Sequence, residues 1–150
     1  PQLSAQALSA AQTVGARVHE GGSFITIEGP RFSTRAESNI YQSWGQSIIG
    51  MTTSPEAFLA REAEMHYALL SHVTDYDVWH DEPVSVDMVM RTVQANTTHA
   101  QNTISHPDDN LDSYMPCACE DALADAFITR IADAPKSTRK KLSLLIDKYR

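Results

Sequence analysis

The sequence predicts an α/β fold, because short β-prone runs alternate with segments whose apolar residues recur at helical spacing. Hydrophobic residues make up 42% of the 150 residues and charged residues 21%, the composition of an ordinary globular protein with one core. No repeat or low-complexity tract interrupts the alternation. We therefore expect one domain, or part of a larger one.

The opening elements are predicted from capping and turn residues. Ser4 precedes an alanine-rich segment that ends near Gly15, which indicates a capped helix. Gly21 and Gly22 separate two β-prone runs, a pattern typical of a hairpin, and the stronger run is the strand 24–27.

Two further helices and a strand follow. Thr34 and Glu37 form a capping box that begins a helix, and Gly45 ends it. A short apolar strand is expected at 47–50. A serine, a proline and a glutamate in succession then predict the start of a helix over 54–65.

The second half of the chain is predicted to contain one strand and three helices. A buried strand is expected over 67–73, and a helix with one apolar face over 85–99. Residues 105–116 have the prolines and aspartates of a surface loop. Helices are expected over 121–131 and from 137 to the end of the sequence.

Composition also excludes several classes of protein. The formal net charge of −7 argues against nucleic acid as a partner. No run approaches the roughly 18 apolar residues that cross a bilayer, and residues 1–10 lack the order of a signal peptide, so we expect a cytoplasmic protein with no membrane partner. Cys117 and Cys119 are too few for a disulfide framework, and reduced thiols are favoured over a local disulfide. His66 and His72 lack the companions of a metal site, so no metal is expected.

Three predicted strands end in small or polar residues, which makes their ends the candidate site. Ile27 leads into GPRFS, Ile49 into GMTT and Val73 into TDYD. Ligands of open α/β sheets bind outside the carboxyl ends of the strands. For each turn taken singly, an ordinary turn or helix cap is the alternative.

Asp75 and Asp77 are candidates for acid chemistry. In an extended backbone their side chains would point the same way, and two adjacent carboxyls cannot both stay ionised cheaply. One would keep a proton to donate while the other accepts, which suits the amino group and ring nitrogen at the edge of adenine. The alternative is that one aspartate caps a loop and the other is solvated.

The segment after the second strand is a candidate anion site. Thr52 and Thr53 carry hydroxyls just before Ser54, where free backbone amides at the start of a helix also converge. A phosphate is expected there, with a simple helix cap as the alternative. Met51 offers apolar surface beside it, or core packing.

Three stretches closely resemble methylthioadenosine phosphorylases within the trimeric purine nucleoside phosphorylases: EGPRFSTRAES at 28–38, GMTTSPEAFLAREAEM at 50–65 and TDYDVW at 74–79. A weaker resemblance extends through 117–131. It implies the carboxyl-terminal half of a nucleoside phosphorylase fold, with a mixed β-sheet flanked by helices. It also implies a pentosyltransferase of purine and methionine salvage that uses inorganic phosphate to release adenine from 5'-methylthioadenosine without a cofactor.

The resemblance assigns roles to individual residues. Thr52 is expected to bind phosphate, and Asp75 and Asp77 to be catalytic, with Asp77 the candidate general acid. Val86 and Met90 would form an apolar wall for the methylthio group. The residues expected to bind the nucleoside are Phe32, Ser33, Met51, Asp75, Tyr76, Asp77, Val86 and Met90.

Members of this family have chains nearly twice as long, so the resemblance also implies partners. Residues 1–150 are expected to be the carboxyl-terminal part of a single domain, completed by an amino-terminal half in a companion chain and by a homotrimer-type assembly. Three alternatives stay open: a broader purine nucleoside phosphorylase, a methylthioinosine phosphorylase, and a non-catalytic subunit that binds purine nucleosides.

Overall fold

The computed structural model describes residues 2–77, 85–106 and 116–150, and the chain divides into two compact units. The first unit contains residues 1–54 and 68–113, and the second contains residues 55–67 and 114–150. The elements are α1 (Gln2–Thr13), β1 (Phe24–Thr26), α2 (Arg35–Ser43), β2 (Ile48–Gly50), α3 (Thr53–Glu62), α4 (Val86–Ser105), α5 (Lys136–Lys141) and α6 (Ser143–Ile146). No helix in the described residues is both long and apolar enough to cross a membrane.

The first unit contains a parallel pair of strands, β1 and β2. Their register pairs Phe24 with Ile48 and Thr26 with Gly50, and the Ile27 N–H donates to the Gly50 carbonyl at 2.8 Å. The strands predicted at 24–27 and 47–50 are confirmed. Because the strands are parallel, the turns that follow them leave the same edge of the sheet.

The hairpin predicted at Gly21 and Gly22 is wrong, since β1 pairs with β2 and residues 16–23 form no strand. Both glycines have positive φ, 77° and 107°, so they do form a turn. A Cβ on Gly22 would lie 2.9 Å from the Ser47 Oγ, so the turn places the chain directly against the start of β2. β1 therefore pairs with β2 and not with residues 16–23, which precede it.

In the first unit, α2 and α4 begin at the predicted caps, whereas α1 already includes Gln2, so the predicted cap at Ser4 is wrong. Thr34 begins α2 with both hydrogen bonds of the capping box, and Gly45 follows the helix with a φ of 75°. The Ser85 hydroxyl accepts from the Met88 N–H at 3.3 Å and begins α4, which continues beyond the predicted end. α1 and α4 pack against each other, and Ala11 is buried.

The strand predicted over 67–73 is wrong, because these residues form no strand. A strand requires a backbone ladder to a neighbour. The sheet of the described residues contains only β1 and β2. Leu69, Leu70 and Val73 are also exposed, in contrast to the burial that the apolar run indicated.

The helix predicted over 121–131 is wrong as well, since 118–126 form successive turns with hydrogen bonds from Ala124 N–H to the Asp121 carbonyl and similar pairs. Side chains occupy backbone groups that an α-helix would use. The Lys148 ammonium binds the Glu120 carbonyl, and the Leu123 N–H donates to the Glu64 carboxylate.

The last predicted helix is present but divided. α5 ends and α6 begins at Leu142, whose φ of −99° and ψ of 11° interrupt the helical path. Ile146 is buried, as the predicted apolar face requires. The loop predicted over 105–116 lies mostly outside the described residues.

Glu64 organises the second unit. Its carboxylate accepts hydrogen bonds from the Leu123 N–H, the Lys148 ammonium and the Tyr149 hydroxyl. The Tyr149 hydrogen bond is the main reason that the pKa of the Glu64 carboxyl is lowered. Lys148 also binds the Asp121 carboxylate at 2.9 Å. Glu64 therefore connects the turns of 118–126 to Lys148 and Tyr149 near the end of the sequence.

Candidate active site

The turns after β1 and β2 are in contact. A Cβ built on Gly29 would lie 2.9 Å from the Met51 Sδ, so the thioether packs directly on the backbone of the GPRFS turn. A side chain at position 29 would require the Met51 side chain to move. The structure therefore brings together two of the three predicted strand ends, with Met51 half-buried between them.

Phe32 and Ser33 occupy different environments in the first of these turns. The Phe32 side chain is 68% exposed, and this leaves its ring face available to a ligand. Ser33 Oγ lies 2.8 Å from Ser38 Oγ, and Ser38 is buried with 1% of its surface accessible. Ser33 is thus fixed by α2, whereas Phe32 is held only by the backbone.

An ion pair fixes the backbone that carries Phe32 and Ser33. The Arg31 guanidinium donates to both carboxylate oxygens of Glu37, at 2.8 and 2.7 Å, and also to the Phe32 carbonyl at 3.0 Å. The pKa of Glu37 is lowered to about 2, chiefly by the hydrogen bond from Arg31 and further by the Thr34 backbone N–H. The capping box of α2 and the turn after β1 are therefore one hydrogen-bonded group.

The low pKa of Glu37 predicts an acid limit to the stability of this turn. The ordinary pKa of 4.5 falls to about 2 on folding, so the stabilising contribution is present above about pH 4.5 and is lost as the pH falls towards 2. In the complete protein, we expect a Tm gap between wild type and Glu37→Gln that is constant above about pH 5.5 and closes towards pH 2. Thermal unfolding at a series of pH values measures this gap. Glu62→Gln, at an exposed position, is the control, and a Glu37 gap independent of pH would exclude the assignment.

The hydroxyl groups of the two threonines after β2 differ in their surroundings. Thr52 is exposed, whereas the Thr53 Oγ1 is buried and has no hydrogen-bond partner among the described residues. Ser54 has the extended dihedrals of a helix cap, φ −100° and ψ 126°, so the regular part of α3 begins after it. The Thr53 hydroxyl is left for another partner, because burial without a hydrogen bond costs about 1–3 kcal/mol.

Asp75 and Asp77 lie in a turn and not in the extended segment that was expected. Asp77 has a φ of 52°, in the left-handed region, and its backbone N–H donates to the Asp75 Oδ1 at 2.9 Å. The Asp75 Oδ2 accepts from the Thr74 hydroxyl at 2.7 Å. Asp75 therefore caps the turn, and the proposed side-by-side arrangement of two extended carboxyls is wrong.

Asp77 differs from Asp75 in the hydrogen bonding of its carboxyl oxygens. Its Oδ2 is buried and has no hydrogen-bond partner in the part of the chain that the structure describes. A buried carboxyl oxygen without a hydrogen-bond partner is energetically costly, which makes this oxygen a candidate for contact with a ligand. Tyr76, between the two aspartates, is 63% exposed. In this turn Tyr76 is therefore exposed, whereas the Asp77 Oδ2 is buried without a hydrogen-bond partner among the described residues.

α4 supports this turn and carries the predicted apolar wall. The Asn96 side-chain amide donates to the Val73 carbonyl at 3.1 Å and ties the turn to the middle of the helix. Val86 and Met90 lie one helical turn apart near the start of α4, with exposures of 75% and 61%. Their side chains are available to a ligand, and Met90 lines a surface depression with Val93.

Sequence reasoning missed two groups that shape this site and did not separate a third from its neighbour. Asn96 was not singled out, although an amide within an amphipathic helix is a signal for a tertiary hydrogen bond. Arg31 was also missed, although it stands six residues before the glutamate of the capping box. Thr53 was considered as a helix cap, and only the structure separates its buried hydroxyl from the exposed Thr52.

Comparison with known proteins gives one consistent result. A family model of the phosphorylase superfamily matches residues 1–106. The S-methyl-5'-thioadenosine phosphorylase of Geobacter sulfurreducens is 47% identical over 149 residues, which is 98% of this chain and 52% of that protein. The enzyme of the same name from Gloeobacter violaceus is 42% identical over 151 residues, which is 98% of this chain and 50% of that protein.

Solved structures agree. A methylthioadenosine phosphorylase from an antarctic soil metagenomic library superposes with a TM-score of 0.87 at 35% identity, covering 97% of this chain and 53% of that one. A double mutant of the adenosine/methylthioadenosine phosphorylase of Schistosoma mansoni, in complex with adenine, gives 0.65 at 29% identity, over 99% and 52%. The chain spans about half the length of the curated relatives it matches.

Proposed function

The chain belongs to the phosphorylase superfamily, and on this premise we propose that it is part of an enzyme that cleaves 5'-methylthioadenosine with inorganic phosphate. The products would be adenine and 5-methylthioribose 1-phosphate, which makes the enzyme a pentosyltransferase. Two relatives named for this substrate, 47% and 42% identical over nearly the whole chain, support the substrate class. The observation that carries the mechanism is the buried Oδ2 of Asp77, which has no hydrogen-bond partner in the described part of the chain.

The reaction needs an acid because a purine anion is a poor leaving group. A phosphate oxygen attacks the anomeric carbon of the ribose, and the bond from that carbon to the purine breaks with its electron pair moving to the base. Asp77 donates its proton to the imidazole nitrogen of the base, so that neutral adenine leaves. General-acid assistance of this kind is worth about 10²–10⁴-fold in rate.

Asp75 and Asp77 have separate roles in this proposal. Both oxygens of Asp75 accept hydrogen bonds from the protein, which fixes the turn and the direction of Asp77. The Asp77 Oδ2 has no such bond among the described residues and is the oxygen that would face the base. Phe32 would stack on the base with its exposed ring, and Ser33 and Tyr76 would border it.

Phosphate would bind at the segment after β2. Thr52 is exposed there, and the buried Thr53 hydroxyl lacks a protein partner among the described residues, so the two hydroxyls together can donate to one anion. Met51, which packs on Gly29 between the phosphate and base turns, would contact the ribose. No cofactor is required, because phosphate itself is the nucleophile.

Val86 and Met90 would form the wall against the five-prime substituent. Their exposed apolar side chains at the start of α4 suit a methylthio group and leave a five-prime hydroxyl without a partner. We therefore propose methylthioadenosine as the preferred substrate. Adenosine is the second candidate, because the neighbour from Schistosoma mansoni carries both substrates in its name.

Replacing Val86 with His is expected to change this preference. The complete enzyme should show a kcat/KM for methylthioadenosine about 10–200-fold above that for adenosine, the range that one methyl-sized apolar contact provides. An imidazole at position 86 supplies a partner for the five-prime hydroxyl and should reduce the ratio. Thr98→His, at an exposed position further along α4 and outside this depression, is the control for a general effect of the substitution. If the ratio in Val86→His equals that of wild type, Val86 is not part of the pocket.

The activity itself is tested by the phosphate dependence of adenine release. The complete enzyme should release adenine from methylthioadenosine only when phosphate is present, with equal amounts of adenine and sugar phosphate. Binding of the nucleoside without turnover would indicate the non-catalytic alternative. Faster turnover of methylthioinosine or guanosine would indicate one of the broader phosphorylases.

The proposal extends to partners and location. An amino-terminal half of the enzyme would complete the fold, as the chain spans about half of its curated relatives. We also propose a homotrimer-type assembly, a cytoplasmic location, and a role in purine and methionine salvage. The mass of the purified assembly, measured under native and denaturing conditions, tests the homotrimer and the companion half.

A further inference from the structure

Three potential metal ligands meet in the second unit, and none of them is a residue assigned to the nucleoside. One donor atom each of His66, Cys117 and Cys119 lies within 4.8 Å of the other two. The sequence alone indicates no metal at His66, because no set of thiolates or carboxylates beside it in the chain completes a site. The structure instead places His66 beside the two cysteines, which the sequence could not indicate because 51 residues separate them.

The surroundings favour a cation. Glu120 Oε1 lies 3.9 Å from His66 Nε2, and the same oxygen accepts from the Cys117 backbone N–H at 3.2 Å. A carboxylate beside an imidazole adds negative charge at the cluster and is a usual companion of a histidine ligand. His66, Cys117 and Cys119 are buried or half-buried, which limits competition by water.

Cys117 and Cys119 form a disulfide in the structure, so the reduced thiols favoured by the sequence are not what is observed. The Cα atoms are 5.1 Å apart, and both sulfurs lie on the same side of the intervening turn. Around tetrahedral zinc, bonds of about 2.3 Å to sulfur place two thiolates about 3.8 Å apart. The three donor atoms lie within 4.8 Å of one another, so small side-chain rotations would give them the spacing of ligands around one zinc ion.

We propose that the reduced form of this cluster binds a zinc ion through His66, Cys117 and Cys119. Two thiolates and an imidazole are the donor set that a borderline cation such as Zn²⁺ prefers over Mg²⁺ or Ca²⁺. A dithiol reductant supplies two electrons and two protons to the disulfide and is itself oxidised to a disulfide. The two thiols then release their protons as the sulfur–zinc bonds form. The oxidised and zinc-bound states exclude each other.

Cobalt provides a direct test, because Co²⁺ occupies zinc sites and its thiolate complexes absorb in the near ultraviolet. The complete protein is reduced, freed of reductant without oxygen, and titrated with Co²⁺ and then Zn²⁺. We expect a charge-transfer band that saturates at about one Co²⁺ per chain and disappears as Zn²⁺ displaces it. The oxidised protein should show no band. A reduced protein without the band overturns the proposal.

Variants identify the ligands. Cys117→Ser and His66→Gln should each weaken binding by more than about 100-fold, since even outer partners of a metal site are worth 10–100-fold. His72→Gln, at an exposed histidine outside the cluster, should bind as wild type does. His66→Cys should keep binding and intensify the band through a third thiolate, a gain that a merely destabilised protein would not produce. Binding that survives in both Cys117→Ser and His66→Gln would place the cobalt elsewhere and overturn the assignment. Because the readout is spectroscopic, its outcome is independent of whether the enzyme cleaves nucleosides.

Discussion

Asp77→Asn is expected to lower kcat about 10²–10⁴-fold in the complete enzyme while changing KM little, because the proton is needed only as the glycosidic bond breaks. Asparagine keeps the size of the side chain and can still hydrogen-bond the base, but it cannot deliver a proton. The buried Oδ2 without a partner among the described residues makes Asp77 the better candidate of the two aspartates. Steady-state kinetics with methylthioadenosine and saturating phosphate measures the loss.

A nucleoside analogue whose base leaves readily without protonation separates chemistry from positioning. Asp77→Asn should cleave this analogue almost as fast as wild type. An equal loss on both substrates would mean that Asp77 positions the base and is not the acid.

Asp75→Asn is the matched control, because the same chemical change is made two residues away. Its amide oxygen can still accept from the Asp77 N–H, and its nitrogen can donate to Thr74, so the turn should persist. We expect it to retain most of its kcat, because Asp75 holds the turn and does not supply the proton. If Asp75→Asn loses as much kcat as Asp77→Asn, the two roles are not separable.

The turn at Asp75 shows how far sequence reasoning could reach. The chemistry of the residues was visible in the TDYD motif, and a resemblance to a family assigned them to the base. Their geometry was not visible, because spacing predicts a shared direction only if the backbone is extended. The positive φ of Asp77 and the hydrogen bond from its N–H come from the turn itself, and they replace the extended arrangement that was expected of the two carboxyls.

The caps of two helices were predicted well from nearby residues, whereas the strand at 67–73 and the helix at 121–131 were not predicted correctly. The capping box at Thr34 and the cap at Ser85 depend on residues three positions away, and both are confirmed. The run 67–73 has the composition of a buried strand, but a strand also needs a partner that composition does not specify. Residues 118–126 likewise form turns because Lys148 and Glu64 bind their backbone, and neither is close in sequence.

These 150 residues expressed alone are expected to aggregate or to lack phosphorylase activity. Among the described residues, the buried hydrophobic ones are Ala11, Cys119 and Ile146, which is a small core for a chain of this length. Large apolar side chains remain at the surface, with exposures of 96% for Leu144 and 75% for Ile104. Apolar surface of this kind is normally covered by another part of a protein or by a partner. Size-exclusion chromatography and an adenine-release assay measure the outcome.

Coexpression with the amino-terminal half of a relative, such as the Geobacter sulfurreducens enzyme, should restore both solubility and turnover, because that enzyme is 47% identical over the region shared with this chain. The matched control is coexpression of the same half with the Asp77→Asn chain, which should recover solubility while kcat stays about 10²–10⁴-fold lower. This pair separates rescue of folding from supply of the catalytic acid. A monodisperse chain that cleaves methylthioadenosine without any second polypeptide would show that residues 1–150 hold a complete site, and the proposed companion half would then be wrong.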